Sequence, residues 1–410
     1  MMRCLRNAKD ALYLYRNGYL NTLSKERFEG IVGRSFLIRL RVVLVNTLKE
    51  FKLILHNNPK LNIEGKIVCI INSNNNYEAL KFLKSPEVVF LKPTVLGDKF
   101  ENVITYRFKS KFFYSLIFLA CLPYILLSKL NRRDLTLLHK AYGLTSLFTS
   151  LIKKQKPLQV VFTNDHTPEA RSFILACKVA GVKTTYIQHG SVSKYFPPLE
   201  FDLALLESQY SKDIYTSNKK SNSIIELIGI PKLDNVICKI RDRKLINKVG
   251  LAINQNDDLR KVDKLIEALI QNDYKVILRK HPADRRNVTS LFKIQDGNKM
   301  DVYEFIHTAD FLVASDSSIH VEANSLKCRS IYYQLHDNNN KYDYYSFVKN
   351  GYIEEVKNEE VLINLLKGFN YSSFNFNSSK LAHYNEALIN NYYGKSSLLA
   401  QKFIYESISH

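Results

Sequence analysis

Tryptophan is absent from this sequence, and glycine and cysteine are scarce, with 14 and six residues among 410. The few glycines form neither a GxxxxGK[ST] loop nor a GxGxxG fingerprint, which argues against ATP hydrolysis and dinucleotide redox chemistry. No two cysteines form a CxxC pair or another short spacing, so we expect buried free thiols in a reducing compartment rather than disulfides or a zinc site. These cysteines are Cys4, Cys69, Cys121, Cys177, Cys238 and Cys328.

The sequence also lacks a long uninterrupted apolar run. Its first twenty residues carry charges throughout and do not have the pattern of a secretory signal. The longest apolar stretch, residues 112–128, has 17 residues, contains Pro123 and is flanked by basic residues on both sides. This length is at the lower limit for a membrane-spanning helix. We predict a helix that is partly core and partly inserted in one leaflet, with a spanning helix and a fully buried domain helix as alternatives.

What the sequence has is enough apolar residues for a large core. Hydrophobic residues make up 46% of the chain, aromatic residues 12% and charged residues 24%, a composition that excludes a disordered protein. A chain of 410 residues is too long for one ordinary domain. We therefore expect two globular domains with extensions.

Basic residues exceed acidic ones by 20, and the excess is uneven. Residues 1–60 hold twelve Lys or Arg and four Asp or Glu, and residues 107–133 hold six basic residues and no acidic one. Both segments are also rich in Leu, Ile, Phe and Tyr, which suits an anionic membrane surface better than a nucleic acid. We expect a cytoplasmic protein attached peripherally to the inner face of the cell membrane, without a nucleic-acid partner.

Short β-branched runs alternate with helical segments along most of the chain. The predicted strands are residues 66–72, 87–91, 159–164 and 184–188 in the first half, and 249–253, 275–279, 311–315 and 330–333 in the second. Helices are predicted over 168–180, over 258–270 and from residue 317. This alternation is typical of α/β domains with parallel sheets.

The predicted organisation has four parts. A basic amphipathic helical segment over 1–60 precedes a first Rossmann-like domain over 61–230 and a second over 231–385, and a C-terminal helix over 386–410 follows. The boundary between the domains is placed at Gly229-Ile-Pro231. Two such domains facing one another leave a cleft between them, and open α/β sheets bind ligands at the carboxyl ends of their strands.

Four polar elements follow predicted strands at their carboxyl ends, where the cleft is expected. They are Asn164-Asp165-His166-Thr167-Pro168, Gln188-His189-Gly190-Ser191, Arg279-Lys280-His281-Pro282 and Ser315-Asp316-Ser317-Ser318. The first two belong to the first domain and the last two to the second. We expect all four to line the cleft and to contact a substrate.

Ser317 and Ser318 are predicted to open a helix, whose unpaired N–H groups and positive dipole end favour a phosphate. The alternative is that one of them is only the N-cap. Next to them, Asp316 has no partner in a DxD pair, so we expect no metal ion and predict that side chains neutralise a leaving group.

His281 lies in a turn defined by Pro282 and is expected to hydrogen-bond a leaving phosphate. Arg279 and Lys280 would add positive charge there. The alternative is an ordinary histidine in a surface loop.

His189 is predicted to be a general base for an acceptor hydroxyl, because an imidazole titrates near the working pH. Gly190 beside it lets a backbone or ligand approach closely. Asp165 or His166 are alternatives for the base, and Asp165 could instead orient His189.

The order Gln-His-Gly, Gly-x-Pro, Lys-His-Pro, Ser-Asp-x-Ser resembles that of bacterial surface-polysaccharide transferases with the GT-B fold. This group includes capsular sialyl- and polysialyltransferases, Kdo and pseudaminic acid transferases and, more distantly, CDP-glycerol glycerophosphotransferases. The resemblance covers residues 160–350. It implies that His281-Pro282 is the HP motif that contacts the leaving phosphate, that Ser317-Ser318 is the serine motif that cradles it, and that Glu304 binds the ribose.

Gln188-His189-Gly190 stands where sialyltransferases have an acidic pair. It is similar to the His-Gly of the glycerophosphotransferases, whose histidine is thought to be the base. Gly229-Ile-Pro231 with Asp234 is similar to their Gly-x-Pro-Arg-x-Asp, with Lys232 in place of the arginine.

The resemblance implies a metal-independent glycosyltransferase that moves an acidic sugar, such as sialic acid, pseudaminic acid or Kdo, from a CMP-sugar to a lipid-linked or growing capsular glycan. The first domain would hold the acceptor and the second the nucleotide-sugar donor, with no further cofactor. One alternative is CDP-glycerol or CDP-ribitol phosphotransfer, which the absence of tryptophan disfavours. The other is a non-catalytic basic scaffold that binds the membrane.

Overall fold

The structure, a computed structural model, describes residues 1–23, 25–94, 102–217, 221–237, 247–282, 284, 286–288, 294–336, 342–371 and 374–409. Cys238 and the last residue of the predicted C-terminal helix lie outside this part of the chain. The five cysteines within it are free thiols, and four of them are buried.

The first sheet has seven parallel strands in the order β3-β2-β1-β4-β5-β6-β7. Its strands are β1 (Ile67–Ile70), β2 (Val88–Thr94), β3 (Ile104–Arg107), β4 (Gln159–Phe162), β5 (Lys183–Ile187), β6 (Leu203–Leu206) and β7 (Ile224–Leu227). Every residue of β1, β4 and β6 is buried, because helices cover both faces of a parallel sheet.

The second sheet has six parallel strands in the order β10-β9-β8-β11-β12-β13. Its strands are β8 (Lys248–Ile253), β9 (Lys275–Lys280), β10 (Gln295–Asp296), β11 (Phe311–Ala314), β12 (Arg329–Tyr333) and β13 (Glu354–Val356). Both sheets have the doubly wound order of a Rossmann fold, and the strand order reverses between β1 and β4 and between β8 and β11. The predicted α/β class is confirmed, and so are all eight predicted strands.

Helices connect the strands and cover the sheets. In chain order they are α1 (Met2–Ala11), α2 (Tyr13–Arg16), α3 (Lys25–Val32), α4 (Phe36–Phe51), α5 (Asn74–Leu80), α6 (Lys111–Ala120), α7 (Leu122–Ile125), α8 (Lys129–Arg133), α9 (Leu135–Ala141), α10 (Leu144–Gln155), α11 (Pro168–Ala180), α12 (Gln209–Thr216), α13 (Asp234–Ile237), α14 (Leu259–Gln271), α15 (Val302–Thr308), α16 (Ile319–Ser325), α17 (Glu359–Lys367), α18 (Ser378–Tyr384) and α19 (Ser396–Ser409). The helices α11 and α14 confirm the predictions over 168–180 and 258–270.

The N-terminal helices share a core with later helices of the first domain. Leu5, Leu12 and Val43 belong to one buried cluster with Phe118 and Leu138. The predicted helical N-terminal segment is therefore present, but it is packed into a helical layer with α6 to α10 and is not a separate arm.

The apolar stretch 112–128 forms two short helices. The helix α6 ends at Ala120, and α7 begins at Leu122 with Pro123 in its first turn, where proline is tolerated because the N–H it lacks would have no helical partner. In the part of the chain that the structure describes, no helix is long and apolar enough to cross a membrane.

The connection between the domains anchors the C-terminal helix. Gly229 has a φ of +76°, and a Cβ there would lie 2.3 Å from the Cβ of Ala387, so only glycine fits this position. The carboxylate of Asp234 accepts hydrogen bonds from the backbone N–H groups of Ser396 and Ser397 at 2.9 and 2.7 Å. Glycine and aspartate of the Gly-Ile-Pro-Lys-Leu-Asp segment therefore hold the start of α19.

The helix α19 then packs on the first domain. The Gln401 side chain donates a hydrogen bond to the Phe82 carbonyl at 2.8 Å, and Lys183 donates one to the Ser407 carbonyl at 2.8 Å. Ile404 is fully buried in the same cluster as residues of β1 and β6. The chain thus returns from the second domain to the first, and this crossing ties the two domains together.

Candidate functional site

The predicted site elements lie at the carboxyl edges of both sheets. In the first domain they follow β4 and β5, and in the second they follow β9 and β11. The loops after β4 and β11 flank the points where the strand order reverses, which is where doubly wound sheets bind ligands.

Asp165 is the partner of His166. One carboxylate oxygen of Asp165 lies 2.8 Å from the Nδ1 atom of His166, and the other accepts a hydrogen bond from the Tyr215 hydroxyl at 2.7 Å. Burial acts to raise the pKa of Asp165, but the hydrogen bonds from His166 and Tyr215 outweigh it and the pKa is lowered. Asp165 is therefore an ionised residue that orients His166, and its two oxygens are already used.

The Gln188 amide organises the loop after β5. Its nitrogen donates to the Gly190 carbonyl at 2.9 Å and to the Ser211 hydroxyl at 2.8 Å, and its oxygen accepts from the Glu207 backbone N–H at 3.0 Å. Gln188 is buried. Its predicted contact with a substrate stays a prediction, and its observed contacts hold His189 and Gly190 in place.

His189 is a neutral imidazole on the first-domain side. Burial, followed by the positive charges of Lys232 and His166, lowers its pKa to about 4. Its Nδ1 atom is buried and has no hydrogen-bond partner among the described residues. A neutral ring with an unused nitrogen has the protonation state that a general base needs, although a pKa this low makes it a weak base in the free protein.

Lys232 joins the two domains beside His189. Its Nζ atom donates a hydrogen bond to the His189 carbonyl at 3.4 Å and forms an ion pair with Glu322 of α16. Burial acts to lower the pKa of Lys232, but the carboxylates of Glu322 and Glu207 outweigh it and raise the pKa. Lys232 is thus positively charged and places its charge at the junction of the domains.

Glu207 is the second carboxylate of this junction. It directly follows β6, it is buried, and burial raises its pKa to about 7 while Lys232 opposes the shift. Its Oε1 atom has no hydrogen-bond partner within the described residues. Sequence reasoning missed Glu207, although it follows a strand at the same edge of the sheet as His189. It also missed Glu322, which lies only one turn after Ser318, because its ion pair with Lys232 joins residues 90 positions apart and leaves no local pattern.

We expect Lys232→Met to raise the pKa of His189 from about 4 toward the ordinary histidine value. After burial, the charge of Lys232 is the largest cause of the low pKa, and methionine keeps the volume without the charge. A histidine NMR titration of the full chain measures this shift. Lys178→Met, on the exposed end of α11, is the matched control and should leave the pKa unchanged. An unchanged pKa in Lys232→Met would contradict the arrangement described here.

The loop after β9 forms part of the second-domain wall. The Arg279 guanidinium donates to the carbonyls of Gly297 and Met300 at 2.6 and 2.7 Å, and the Lys280 Nζ atom donates to the Arg286 carbonyl at 2.7 Å. Both side chains thus fasten neighbouring loops. Their predicted contact with a phosphate stays a prediction.

His281 and Pro282 end this strand at the surface. The His281 backbone N–H donates to the Ile253 carbonyl of β8 at 2.8 Å, and both side chains are exposed. A histidine in this position is accessible to a ligand at the carboxyl edge of the sheet. The predicted hydrogen bond from His281 to a leaving phosphate stays a prediction.

Ser317 and Ser318 lie between β11 and α16. The helix α16 begins at Ile319, two residues later than predicted. Ser318 is its N-cap residue, and the Ser318 side chain makes no capping hydrogen bond. The Ser317 hydroxyl accepts a hydrogen bond from the Ile319 N–H at 3.4 Å. Both serines are partly exposed, so the hydroxyl of Ser318 in particular is available to a ligand.

The residues before these serines are held rigidly. The Ser315 hydroxyl donates to Asp257 at 2.5 Å. Asp316 is buried and accepts hydrogen bonds from the Tyr332 hydroxyl at 3.0 Å, from His336 at 2.9 Å and from the Tyr344 N–H at 2.6 Å. Asp316 therefore organises the loop and does not present a free carboxylate.

Glu304 lies on α15 and is exposed. Its backbone N–H is capped by Asp301 at 2.8 Å. The next residue toward the N-terminus, Tyr303, is near enough to Glu322 and Lys232 for their charges to affect its pKa, which burial raises. Glu322, and not Glu304, is the acidic residue that pairs with Lys232 at the domain junction. The ribose contact of Glu304 stays a prediction.

Among the residues that the structure describes, no three His, Cys, Asp or Glu side chains are grouped as metal ligands would be. The predicted independence from metal ions remains a prediction.

The chain has the GT-B fold. No protein-family model matches it, and no curated protein matches it in sequence. Among solved structures, a putative UDP-N-acetylglucosamine 2-epimerase from Listeria monocytogenes is similar with a TM-score of 0.52 and 14% identity over 84% of this chain and 97% of that chain. The calicheamicin glycosyltransferase is similar with a TM-score of 0.52 and 8% identity over 85% of this chain and 99% of that chain.

A third similar structure is the UDP-N-acetylglucosamine 2-epimerase from Neisseria meningitidis bound to UDP-N-acetylglucosamine, with a TM-score of 0.51 and 12% identity over 83% of this chain and 100% of that chain. At these identities the likeness concerns the fold, which is the glycosyltransferase-like arrangement of two Rossmann-like domains. The specific resemblance to sialyl, Kdo or pseudaminic acid transferases is not tested by it.

Proposed function

We propose that this protein is a metal-independent glycosyltransferase that moves an acidic sugar from a CMP-sugar to a lipid-linked or growing surface glycan at the inner face of the cell membrane. One observation carries the proposal. A neutral histidine with an unused ring nitrogen, His189, lies at the carboxyl edge of one sheet, and the Ser317-Ser318 pair lies at the switch point of the other.

On the donor side, Ser317 and Ser318 would hold the phosphate of the CMP group, with His281 donating a further hydrogen bond. As the bond between the anomeric carbon and the phosphate oxygen breaks, its electron pair goes to that oxygen and CMP leaves. Hydrogen bonds that strengthen as this charge develops lower the barrier. The cation of Lys232 adds a fixed positive charge at the domain junction.

On the acceptor side, the acceptor hydroxyl would form the new bond to the anomeric carbon and transfer its proton to His189. The positive charge of Lys232 weakens His189 as a base in the free protein. A bound anionic donor would offset this charge and raise the pKa of His189 toward the range where a general base is most effective. The base would therefore become active when the donor is present.

The first experiment is a thermal-shift screen of the full chain with CMP, CDP, UDP and GDP. A nucleotide that binds only the native state raises the melting temperature, and we expect CMP or CDP to do so. Ser317→Ala/Ser318→Ala should remove most of the shift. Ser378→Ala/Ser379→Ala is the matched control, since this pair also starts a helix, α18, but not at the carboxyl end of a strand.

The second experiment measures CMP release with CMP-sialic acid, CMP-pseudaminic acid or CMP-Kdo and a glycan acceptor. Release with none of these donors would contradict the proposal. The glycerophosphotransferase-like His189-Gly190 and Gly229-Ile-Pro231 segments favour a second candidate, CDP-glycerol or CDP-ribitol phosphotransfer, which would release CMP from the CDP-alditol and leave a phosphodiester in the product. A non-catalytic scaffold would give no nucleotide-induced shift at all.

A further inference from the structure

Two helices of the N-terminal layer have their apolar side chains on the outside. In α4, Thr47 and Glu50 are buried, whereas Leu37 is 74% and Leu48 is 69% exposed. Six further large apolar residues of this helix are exposed, namely Phe36, Ile38, Val42, Leu44, Val45 and Phe51. A helix on the surface of a water-soluble domain has the opposite arrangement.

The helix α6 repeats this inversion next to α4. Lys111 and Ser115 point inward and are fully buried, whereas Phe113, Leu116 and Ile117 are exposed. The exposed surface continues into the following segment through Tyr124, Leu127 and Leu130. We call the exposed apolar side chains of α4 and of residues 113–130 the apolar plate.

A buried polar network holds the apolar plate together. The Lys111 Nζ atom donates to the Ser115 hydroxyl at 2.8 Å and to the His139 carbonyl at 3.0 Å, and it lies 3.6 Å from a Glu50 carboxylate oxygen. The Ser115 hydroxyl donates to Glu50 at 2.5 Å. This network ties α4, α6 and α9 to one another, so the apolar plate belongs to a packed unit rather than to a loose helix.

Basic side chains border the apolar plate. A cavity of about 620 Å³ at its edge is lined by Phe36, Arg39, Leu126, Lys129, Arg132 and Arg133. Arg133 forms an ion pair with Asp134. The Arg39 guanidinium donates to the carbonyls of Gly33 and Arg132, which position it without neutralising its charge. In the described part of the chain, neither Arg39, Lys129 nor Arg132 has a carboxylate within ion-pair distance.

We infer that the apolar plate inserts into one leaflet of an anionic bilayer and that the cavity beside it, between Arg39, Lys129 and Arg132, binds the phosphate of an anionic phospholipid headgroup. Both physical requirements of interfacial binding are met, an apolar face and a cationic border. With 16 residues, α4 is roughly 24 Å long, and lying flat it would bury its apolar side chains at the level of the acyl chains.

The charge decides between a bilayer and a second copy of this chain as the occupant. A second copy would bring an identical cationic border close to the first, and like charges in an apolar contact repel one another. An anionic leaflet instead complements that border. The inference rests on the membrane attachment proposed above but not on the identity of the donor or the transferred group.

Flotation of the full-length protein with lipid vesicles tests the inference without any donor. We expect binding to vesicles of phosphatidylcholine that contain roughly 30% phosphatidylglycerol and much weaker binding to phosphatidylcholine alone. Leu37→Glu/Leu48→Glu should weaken binding about tenfold or more by placing two charges in the apolar layer. Arg132→Gln and Lys129→Gln should each weaken binding to the anionic vesicles about fivefold.

Ile389→Glu/Leu398→Glu is the matched control, because these two residues are also large, apolar and exposed, at 63% and 56%, but lie near the C-terminus. It should bind vesicles like the wild-type protein. If Leu37→Glu/Leu48→Glu binds vesicles as well as the wild type, the inferred insertion of the apolar plate is wrong. If the wild type binds neutral and anionic vesicles equally well, the inferred headgroup site is wrong. A dimer that Leu37→Glu/Leu48→Glu converts to a monomer, without vesicle binding by the wild type, would assign the surface to a second copy.

The same variants separate this inference from the proposed enzymatic function. If they lose vesicle binding but keep the CMP-induced shift in melting temperature, the two properties are independent. Vesicle binding without any nucleotide-induced shift would leave the membrane surface standing and contradict only the transferase proposal.

Discussion

Replacing His189 with glutamine is expected to lower kcat by about 10²- to 10⁴-fold, the range that general bases contribute. Nucleotide binding should be unchanged, because His189 lies on the first-domain wall and the proposed phosphate contacts come from the second domain. CMP release under donor and acceptor saturation gives kcat, and the nucleotide-induced melting shift reports binding. A loss of nucleotide affinity in this variant would give His189 a binding role instead.

His166→Gln is the control that distinguishes the two histidines of the first domain. His166 is held by Asp165 at 2.8 Å, so it has the geometry of an oriented base, whereas His189 has the unused nitrogen. We expect the larger loss in His189→Gln. A larger loss in His166→Gln would move the base to the Asp165–His166 pair.

Glu207→Gln completes this comparison. With a pKa of about 7 and an oxygen that has no hydrogen-bond partner among the described residues, Glu207 has the acidity expected of a general base, but it is buried, whereas His189 is partly exposed. We expect a smaller effect from Glu207→Gln than from His189→Gln. If only Glu207→Gln abolished turnover, the carboxylate rather than the imidazole would take the proton.

Lys111→Met is expected to destabilise the protein by ~3–5 kcal/mol, because it leaves the buried carboxylate of Glu50 without its cation. Lys111 has no exposed surface, and burial lowers its pKa to about 8 although Glu50 acts in the opposite direction. The loss of the Lys111 hydrogen bonds to Ser115 and His139 adds to the effect. Urea unfolding followed by circular dichroism measures the free energy of unfolding.

The double variant Glu50→Leu/Lys111→Met is the control for this prediction. Removing both charges leaves no unpaired ion, so we expect it to be clearly more stable than Lys111→Met alone. Equal destabilisation of the single and double variants would mean that lost packing, not the unpaired carboxylate, causes the effect. Lys140→Met, which removes an ion pair with Glu169 at a half-exposed site, should change stability by less than ~1 kcal/mol.

Much of the fold was predictable because its signals are local. The strands β1, β4 and β11 are buried, mostly apolar runs that are followed by polar residues. Five of the thirteen described strands were missed. One is β6, a fully buried Leu-Ala-Leu-Leu run without a β-branched residue. The others are the edge strands β3, β7, β10 and β13, which are short and mostly exposed or only partly buried. At such edges little apolar surface is buried, so the period-two pattern is weak.

The candidate site was predictable only in part. Proximity to strand ends identified His189, His281 and the two serines, since the carboxyl ends of parallel strands meet at one edge of a sheet. It could not identify their partners. Asp165 was considered as the residue that orients His189, and it instead binds its neighbour His166.

By itself the sequence determined the α/β class, the positions of eight strands, the helical and basic N-terminal segment and the edge at which chemistry is expected, because each depends on residues close together in the chain. The tertiary structure alone decided which partners the side chains of the predicted elements have. It showed that Lys232 pairs with Glu322 and contacts the His189 carbonyl of the first domain, that Asp234 caps α19, and that α4 and α6 turn polar residues inward. These facts depend on contacts between residues separated by 43 or more positions, and the energy of burying or pairing a charge depends on which distant groups surround it.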